Sequence, residues 1–171
     1  LTPEFTDVNF FEIDHPATSR LKAKGIRAMG DRSNLHLLAD DLSKRQLTDI
    51  MSNNEIWDST AKTVIVAEGL LMYLPKEAVG NLFVQCAEIC GIGSRIAFSY
   101  VGTRPDGLPD AGPCTRLDLW ILKVSGEPWL WSIQPENLGP FLRDNKWKIV
   151  PNLTGATEKY GVEYFGVVEK L

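Results

Sequence analysis

An α/β fold built on a doubly wound, mostly parallel sheet is predicted by two features of the sequence. Short apolar runs rich in β-branched residues alternate with segments of helical period, the pattern of strands covered on both faces and joined through helices. Three successive apolar runs also end in acid: Asp14 after the first, Asp40 and Asp41 after the second, Glu68 after the third. In an open parallel sheet, ligands bind beyond the carboxyl ends of the strands.

The elements follow in order. VNFFEI, residues 8–13, is a buried strand ending at Asp14, His15 and Pro16. ATSRLKAKGIRA, 17–28, has mixed helical character with its basic residues outward. LHLLA, 35–39, is a second strand, stopped by Asp40 and Asp41, and 43–53 suggests a helix with Ser43 as its N-cap. TVIVA, 63–67, is the clearest strand, and its β-branched residues suit a sheet covered on both faces. Lys76 to Cys90 follows Pro75 with apolar residues at Val79, Leu82, Phe83, Cys86, Ala87 and Cys90, an amphipathic helix ended by Gly91 and Gly93. RIAFSY, 95–100, is a strand, and 102–113 is a loop rich in Gly and Pro. A short helix is expected over Gln134 to Asn145, a strand at KWKIV, 146–150, and a final strand pair from GVEYFGVV, 161–168. No repeat or linker divides the chain, so residues 1–171 are expected to form one, partial domain.

The composition narrows the partners. A net charge of −4 and a pI near 5.2 give no sequence-independent attraction to nucleic acid or anionic lipid. No apolar stretch approaches the ~20 residues that span a bilayer, and the N-terminal LTPEFTDVNF lacks the regions of a signal peptide. A cytoplasmic protein acting on a small molecule or another protein is expected. Cys86, Cys90 and Cys114 do not suggest a disulfide framework or a metal site, and Cys86 and Cys90 are read as core packing.

An adenosine ligand accounts for the acids. A carboxylate accepts hydrogen bonds from the paired hydroxyls of a ribose, and a second accepts from the adenine amino group, which assigns Asp14 and Asp41. Glu68 then faces a cationic or amino-bearing part of the ligand. From spacing alone, Asp14 and Asp41 are equally readable as turn formers or helix caps.

FFEIDHPAT, ADDLS, VIVAEGLLMYLP and RIAFSY, in this order and spacing, resemble the S-adenosylmethionine-dependent methyltransferases of the leucine carboxyl methyltransferase family, which includes bacterial and archaeal proteins classed as O-methyltransferases. GEPWLWSIQPENLGPFLRDNKWKIV, 126–150, resembles the distal region of that family. The resemblance implies a Rossmann-like class I methyltransferase fold with S-adenosylmethionine as cofactor. It places Asp14 at the ribose, Asp41 and Leu42 around the adenine, and Glu68 and Gly69 beside the methionine end. Tyr73 and Tyr100 match positions near the methyl acceptor. Ser99 stands where many relatives carry Asp, and His15 falls in a structural turn. His36 precedes a strand and has no evident partner.

Relatives open their sheet with a strand leading into a glycine-rich acidic loop of the form GAGLDTR, preceded by helices that help cover the substrate; neither is found in this sequence. The resemblance therefore implies the C-terminal portion of a longer enzyme, missing the first strand of its sheet. That strand lies between 8–13 and 63–67, so two internal edges are expected to lack a partner unless another segment or a second chain supplies it. Alone, the chain is expected to bind cofactor weakly.

Methyl transfer from a sulfonium depends chiefly on positioning the acceptor and needs no nucleophilic side chain. A carboxylate acceptor is already ionised at neutral pH, whereas a hydroxyl needs a base, and the tyrosines are poor bases. The acceptor the resemblance implies is an oxygen, and the lack of a good base tilts the expectation toward a carboxylate or an acidic hydroxyl. Trp120, Trp129 and Trp131 are either core packing or an aromatic acceptor pocket. Two competing readings remain open here: a noncatalytic interaction module pairing through sheet edges, and an NAD-dependent enzyme, for which no G-x-G-x-x-G is present.

Overall fold

The computed structural model describes residues 2–30, 32–42, 44–151, 155–156 and 162–171. They group into two compact units, Leu1–Ile50 and Met51–Leu171.

In the first unit, β1 (Phe10–Asp14) pairs in parallel with β2 (Leu35–Ala39), from Phe10 opposite Leu35 to Asp14 opposite Ala39. A parallel pair needs a crossover, and α1 (Pro16–Met29) provides it. Pro16 sits at the helix start, where a missing N–H costs nothing, and His15 caps it by accepting from Ala17 N at 3.3 Å. Asn34 fixes the entry to β2, its side-chain amide donating to the carbonyls of Thr2, Phe5 and Val8 at 3.0–3.2 Å. The next helix, α2, spans only Leu47–Ser52. The Asp41 carbonyl accepts from both Lys44 N and Arg45 N at 2.9 Å, closing a turn that delays the helix; Ser43, the expected cap, lies outside the described residues.

In the second unit, the sheet order is β3 (Val64–Ala67), β4 (Arg95–Val101), β7 (Glu163–Lys170), β5 (Trp147–Ile149), with β6 (Gly155–Ala156) also on β7. β3 and β4 are parallel, and β7 runs antiparallel to both β4 and β5, so β3, β4 and β5 share one direction. GVEYFGVV therefore gives one inserted reversed strand rather than a strand pair, and its Gly161 lies outside the described residues.

Helix α3 (Lys76–Glu88) buries Val79, Phe83, Cys86 and Ala87, and α5 (Pro135–Asp144) buries Leu138 and Leu142. Phe83 meets Phe98 and Phe141 edge-on, with ring centroids 5.3 and 5.8 Å apart. Gly166 is required here, since a Cβ would lie 2.7 Å from Phe98 Cζ. Trp147 is fully buried, and its Nε1 donates to the Phe83 carbonyl at 2.8 Å. Cys86 and Cys90 are buried in this core, and burial pushes the Cys86 thiol up to about 12.

Helix α4 (Thr115–Ser125) was not anticipated by the sequence reading. Leu117, Trp120, Ile121 and Val124, at i, i+3, i+4 and i+7, form one apolar stripe that is exposed, while Leu119 and Leu122 on the opposite face are half-buried, so the helical period is present but its apolar face is turned outward. The legible signals are Pro113 before it, Lys123 in the last turn and Gly126 in the left-handed conformation at its end, φ 88°.

Among the described residues, β1 pairs only with β2 and β3 only with β4. β3 is also not covered on both faces as expected: Val64 and Val66, two apart and so on one face, are 73% and 69% exposed. No described helix is long and apolar enough to cross a membrane.

Candidate functional site

The first unit brings its acids together. Asp14 ends β1, and its carbonyl accepts from Asp40 N at 3.0 Å, so the carboxyl ends of β1 and β2 lie side by side. Asp41 N in turn donates to Asp40 Oδ1 at 2.9 Å. Each carboxylate meets a cation: Asp14 Oδ2 lies 2.6 Å from Lys22 Nζ, Asp41 Oδ2 lies 2.7 Å from Lys44 Nζ, and Arg45 pairs with Asp40. Lys22 is thus not turned simply outward; it also hydrogen-bonds Glu12, two residues before Asp14. Asp14 first and Glu12 second hold its ammonium above the ordinary lysine range. Asp14 Oδ2 is nevertheless buried without a well-formed hydrogen bond from any described residue, because Lys22 approaches closely but off the hydrogen-bonding direction. The attraction of opposite charges at 2.6 Å acts regardless of that angle. Leu42 follows, half-buried, in the turn after Asp41.

The second unit builds its own rim at the carboxyl ends of β3 and β4. The chain leaves β3 at Ala67 and turns through Glu68 and Gly69, both exposed, with Gly69 at φ 61°, where a side chain is strained. Glu68, expected to face a cationic or amino-bearing part of a ligand, is exposed to solvent here, which removes the cost of an acid within an apolar run. Gly69 N donates to Ser99 Oγ at 2.8 Å, and Ser99 is fully buried in β4. The residue that departs from the family acid therefore anchors the Glu68–Gly69 turn. Ser99→Ala is expected to lower stability by about 1 kcal/mol in urea titration and to release the Gly69 amide from hydrogen-exchange protection.

After the turn, Leu71–Tyr73 forms a 3₁₀ helix with Leu71 and Met72 buried and Tyr73 37% exposed. The Met72 carbonyl accepts from Leu130 N at 2.6 Å and Trp131 N at 3.2 Å, and Val101 O accepts from Ile133 N at 3.1 Å. The stretch 130–133 is thereby fixed between the 3₁₀ helix and the end of β4. Thr103 Oγ1 donates to Ser132 Oγ at 2.8 Å and holds the following loop to it. The tryptophans divide: Trp131 is buried against Phe141, Trp120 is 61% exposed, and Trp129 Nε1 is buried with no hydrogen-bond partner among the described residues.

Tyr100 is enclosed rather than presented to an acceptor. It is 2% exposed and stacked on Tyr164, centroids 5.2 Å apart. Burial, then Tyr164 and Glu136, push its phenol up to about 12, so it stays protonated at neutral pH. The unfolded chain ionises this phenol near 10.0, so its contribution to stability is intact below pH 10 and is lost as pH rises toward 12. Alkaline unfolding curves of Tyr100→Phe should lack that part of the fall. His36, expected to lack a partner, lies within β2, with Nε2 3.2 Å from Asn9 Oδ1 and its ring on Phe11.

An open hollow of about 350 Å³ lies at the start of α4, lined by Arg104, Asp106, Thr115 and Arg116 among others. Its charges are mutually compensated, with Arg104 3.7 Å from Asp106 and 3.8 Å from Asp110, and Arg116 3.9 Å from Asp106. None of the expected site residues lines it.

Solved structures define the class of fold. A crystal structure of a protein provisionally named a methyltransferase, from Thermobifida fusca, aligns with a TM-score of 0.71 at 14% identity, over 96% of this chain and 64% of that one. Magnesium protoporphyrin IX methyltransferase from Synechocystis, with bound SAH, aligns with a TM-score of 0.56 at 13% identity, over 95% and 64%. The fold is that of a class I methyltransferase.

Sequence comparison is more specific. The model of the leucine carboxyl methyltransferase family matches residues 2–87, half of the chain, and the chain belongs to that family. It is 30% identical over 145 residues to a Saccharopolyspora erythraea protein provisionally named an S-adenosyl-L-methionine-dependent methyltransferase, covering 81% of this chain and 48% of that protein. The chain thus spans about half the length of that relative.

Proposed function

We propose that this chain carries the nucleoside-binding and acceptor-side elements of an S-adenosylmethionine-dependent methyltransferase that methylates an oxygen, carboxylate or hydroxyl, of a small molecule or a protein terminus. Family membership, the name of the Saccharopolyspora relative and the SAH in the Synechocystis neighbour support the cofactor. The observation that carries the reading is Asp14 Oδ2, an acceptor at a strand end that no described residue satisfies with a well-formed hydrogen bond. Such buried atoms are uncommon, and a ribose hydroxyl is the donor it fits.

When bound, the cofactor supplies an electrophilic methyl on a sulfonium. The residues of the chain bind and orient. Asp14 accepts from the ribose, Asp41 from the adenine amino group, and Leu42 packs on the purine. Glu68 and Gly69 are assigned to the methionine portion by the family resemblance, and Ser99 holds the Gly69 turn. Tyr73 is the exposed aromatic of that rim and the candidate for the acceptor side. Tyr100, protonated to about pH 12, supplies no base near neutrality. A carboxylate acceptor needs none, which favours it over an unactivated hydroxyl.

A further segment, from the same gene product or a second chain, is proposed to complete the sheet, since among the described residues β1 and β3 each pair with one strand only. A cytoplasmic location is part of this proposal, since the number and spacing of Cys86, Cys90 and Cys114 suit a compartment where thiols stay reduced. Calorimetric titration of the full-length gene product with S-adenosylmethionine tests the reading. Saturable binding is expected, and no binding at millimolar cofactor would overturn it.

A further inference from the structure

We propose that Lys22 is an internal counter-ion of the nucleoside site, placed against Asp14 in the ligand-free chain and moved fully onto Glu12 when ribose hydroxyls take the Asp14 carboxylate. The inference rests on the reading of Asp14 as the ribose acid and adds a competing group to it.

Glu12 and Asp14 stand two apart on β1, so their side chains leave the same face of the strand. Helix α1, which follows at once, brings Lys22 to both. The two contacts differ in kind. Lys22 makes a hydrogen bond to Glu12 Oε1, whereas its 2.6 Å approach to Asp14 Oδ2 is off-direction. The ammonium therefore hydrogen-bonds one carboxylate and mainly neutralises and covers the other.

This geometry leaves the Asp14 carboxylate half-engaged. Its side chain is 28% exposed, but Oδ2 is buried beneath the lysine. A ribose diol reaches both oxygens of a carboxylate only if that cover moves. Glu12 makes the move inexpensive, since the ammonium keeps a carboxylate and no charge is stranded. Exposure sets the scale: Lys22 is 43% and Glu12 37% exposed, and ion pairs this wet are weak enough for a neutral hydroxyl ligand to displace. Among the described residues of this rim, Lys44 and Arg45 each pair with one carboxylate, Asp41 and Asp40, whereas Lys22 meets two.

Removing either end of this arrangement has opposite consequences. Without the ammonium, Asp14 is uncovered in the free protein and the nucleoside binds more tightly. Without the Glu12 charge, the ammonium rests on Asp14 alone and the nucleoside binds more weakly. A purely structural ion pair gives no such opposition.

Calorimetric titration with S-adenosylhomocysteine of the full-length gene product and its Lys22→Met and Glu12→Gln variants reads this directly. Lys22→Met is expected to tighten binding, and Glu12→Gln to weaken it, each by roughly two- to fivefold. Lys22→Gln should behave as Lys22→Met, which separates loss of charge from any packing effect of methionine. Binding that Lys22→Met and Lys22→Gln leave unchanged or weaken overturns the counter-ion role while leaving the Asp14 assignment standing. No binding by the unchanged protein or any variant overturns both.

Discussion

Asp14→Ala in the full-length gene product should weaken S-adenosylmethionine binding about 100-fold or more. Hydrogen bonds to an ionised group contribute ~1.5–3 kcal/mol each, and a ribose diol makes two, while every ~1.4 kcal/mol is a factor of ten. The substitution should barely affect folding. Asp14 lies half-buried at the end of β1, its side-chain partner is a partly exposed lysine, and its backbone bond to Asp40 N does not involve the side chain. Circular dichroism and urea titration of the variant are expected to match the unchanged protein, while calorimetry shows the loss. An affinity reduced less than about threefold would mean that Asp14 only ends the strand, as aspartates at turns often do.

The largest expected effect on stability is at Trp147. Its side chain is fully buried in β5, and its indole nitrogen donates to the Phe83 carbonyl, joining the sheet to α3 at the centre of the second unit. Trp147→Ala should cost about 3–5 kcal/mol through lost burial and the cavity left behind. That is a large share of the ~5–15 kcal/mol typical of a domain. Urea unfolding followed by circular dichroism measures it. A loss below about 1 kcal/mol would show that β5 is not part of the core that holds the sheet.

The parts of the fold that were readable are those where period and burial agree. LHLLA matches β2 residue for residue, and β3, β4 and α3 differ from expectation only at their ends. What escaped the reading did so for physical reasons. Helix α4 carries its apolar stripe, Leu117, Trp120, Ile121 and Val124, on an exposed face, so a search for core-facing elements passes over it although the period is there. The reversed run of β7 depends on pairing with β4 and β5, which no local spacing encodes.

The acid rim was legible because Asp14, Asp40 and Asp41 follow apolar runs directly. Its counter-ions were less so. Lys44 and Arg45 lie three and five residues beyond Asp41 and Asp40, close enough to be suspected, but Lys22 meets Asp14 only through the crossover geometry of α1. Ser99 shows the limit of reasoning from a family pattern. Read as the loss of an acid, it acts as a buried acceptor for the backbone of Gly69. Tyr100 shows the converse, since its match to an acceptor-side position says nothing of the stacking on Tyr164 that encloses it.

The account turns on a nucleoside seated over the carboxyl end of β1, and a crystal structure of the full-length gene product with S-adenosylhomocysteine tests it most directly. The predicted result is a ribose with its hydroxyl oxygens about 2.5–3.0 Å from the Asp14 carboxylate and an adenine between Asp41 and Leu42. A ligand bound elsewhere, with Asp14 still engaged only by Lys22, would contradict it.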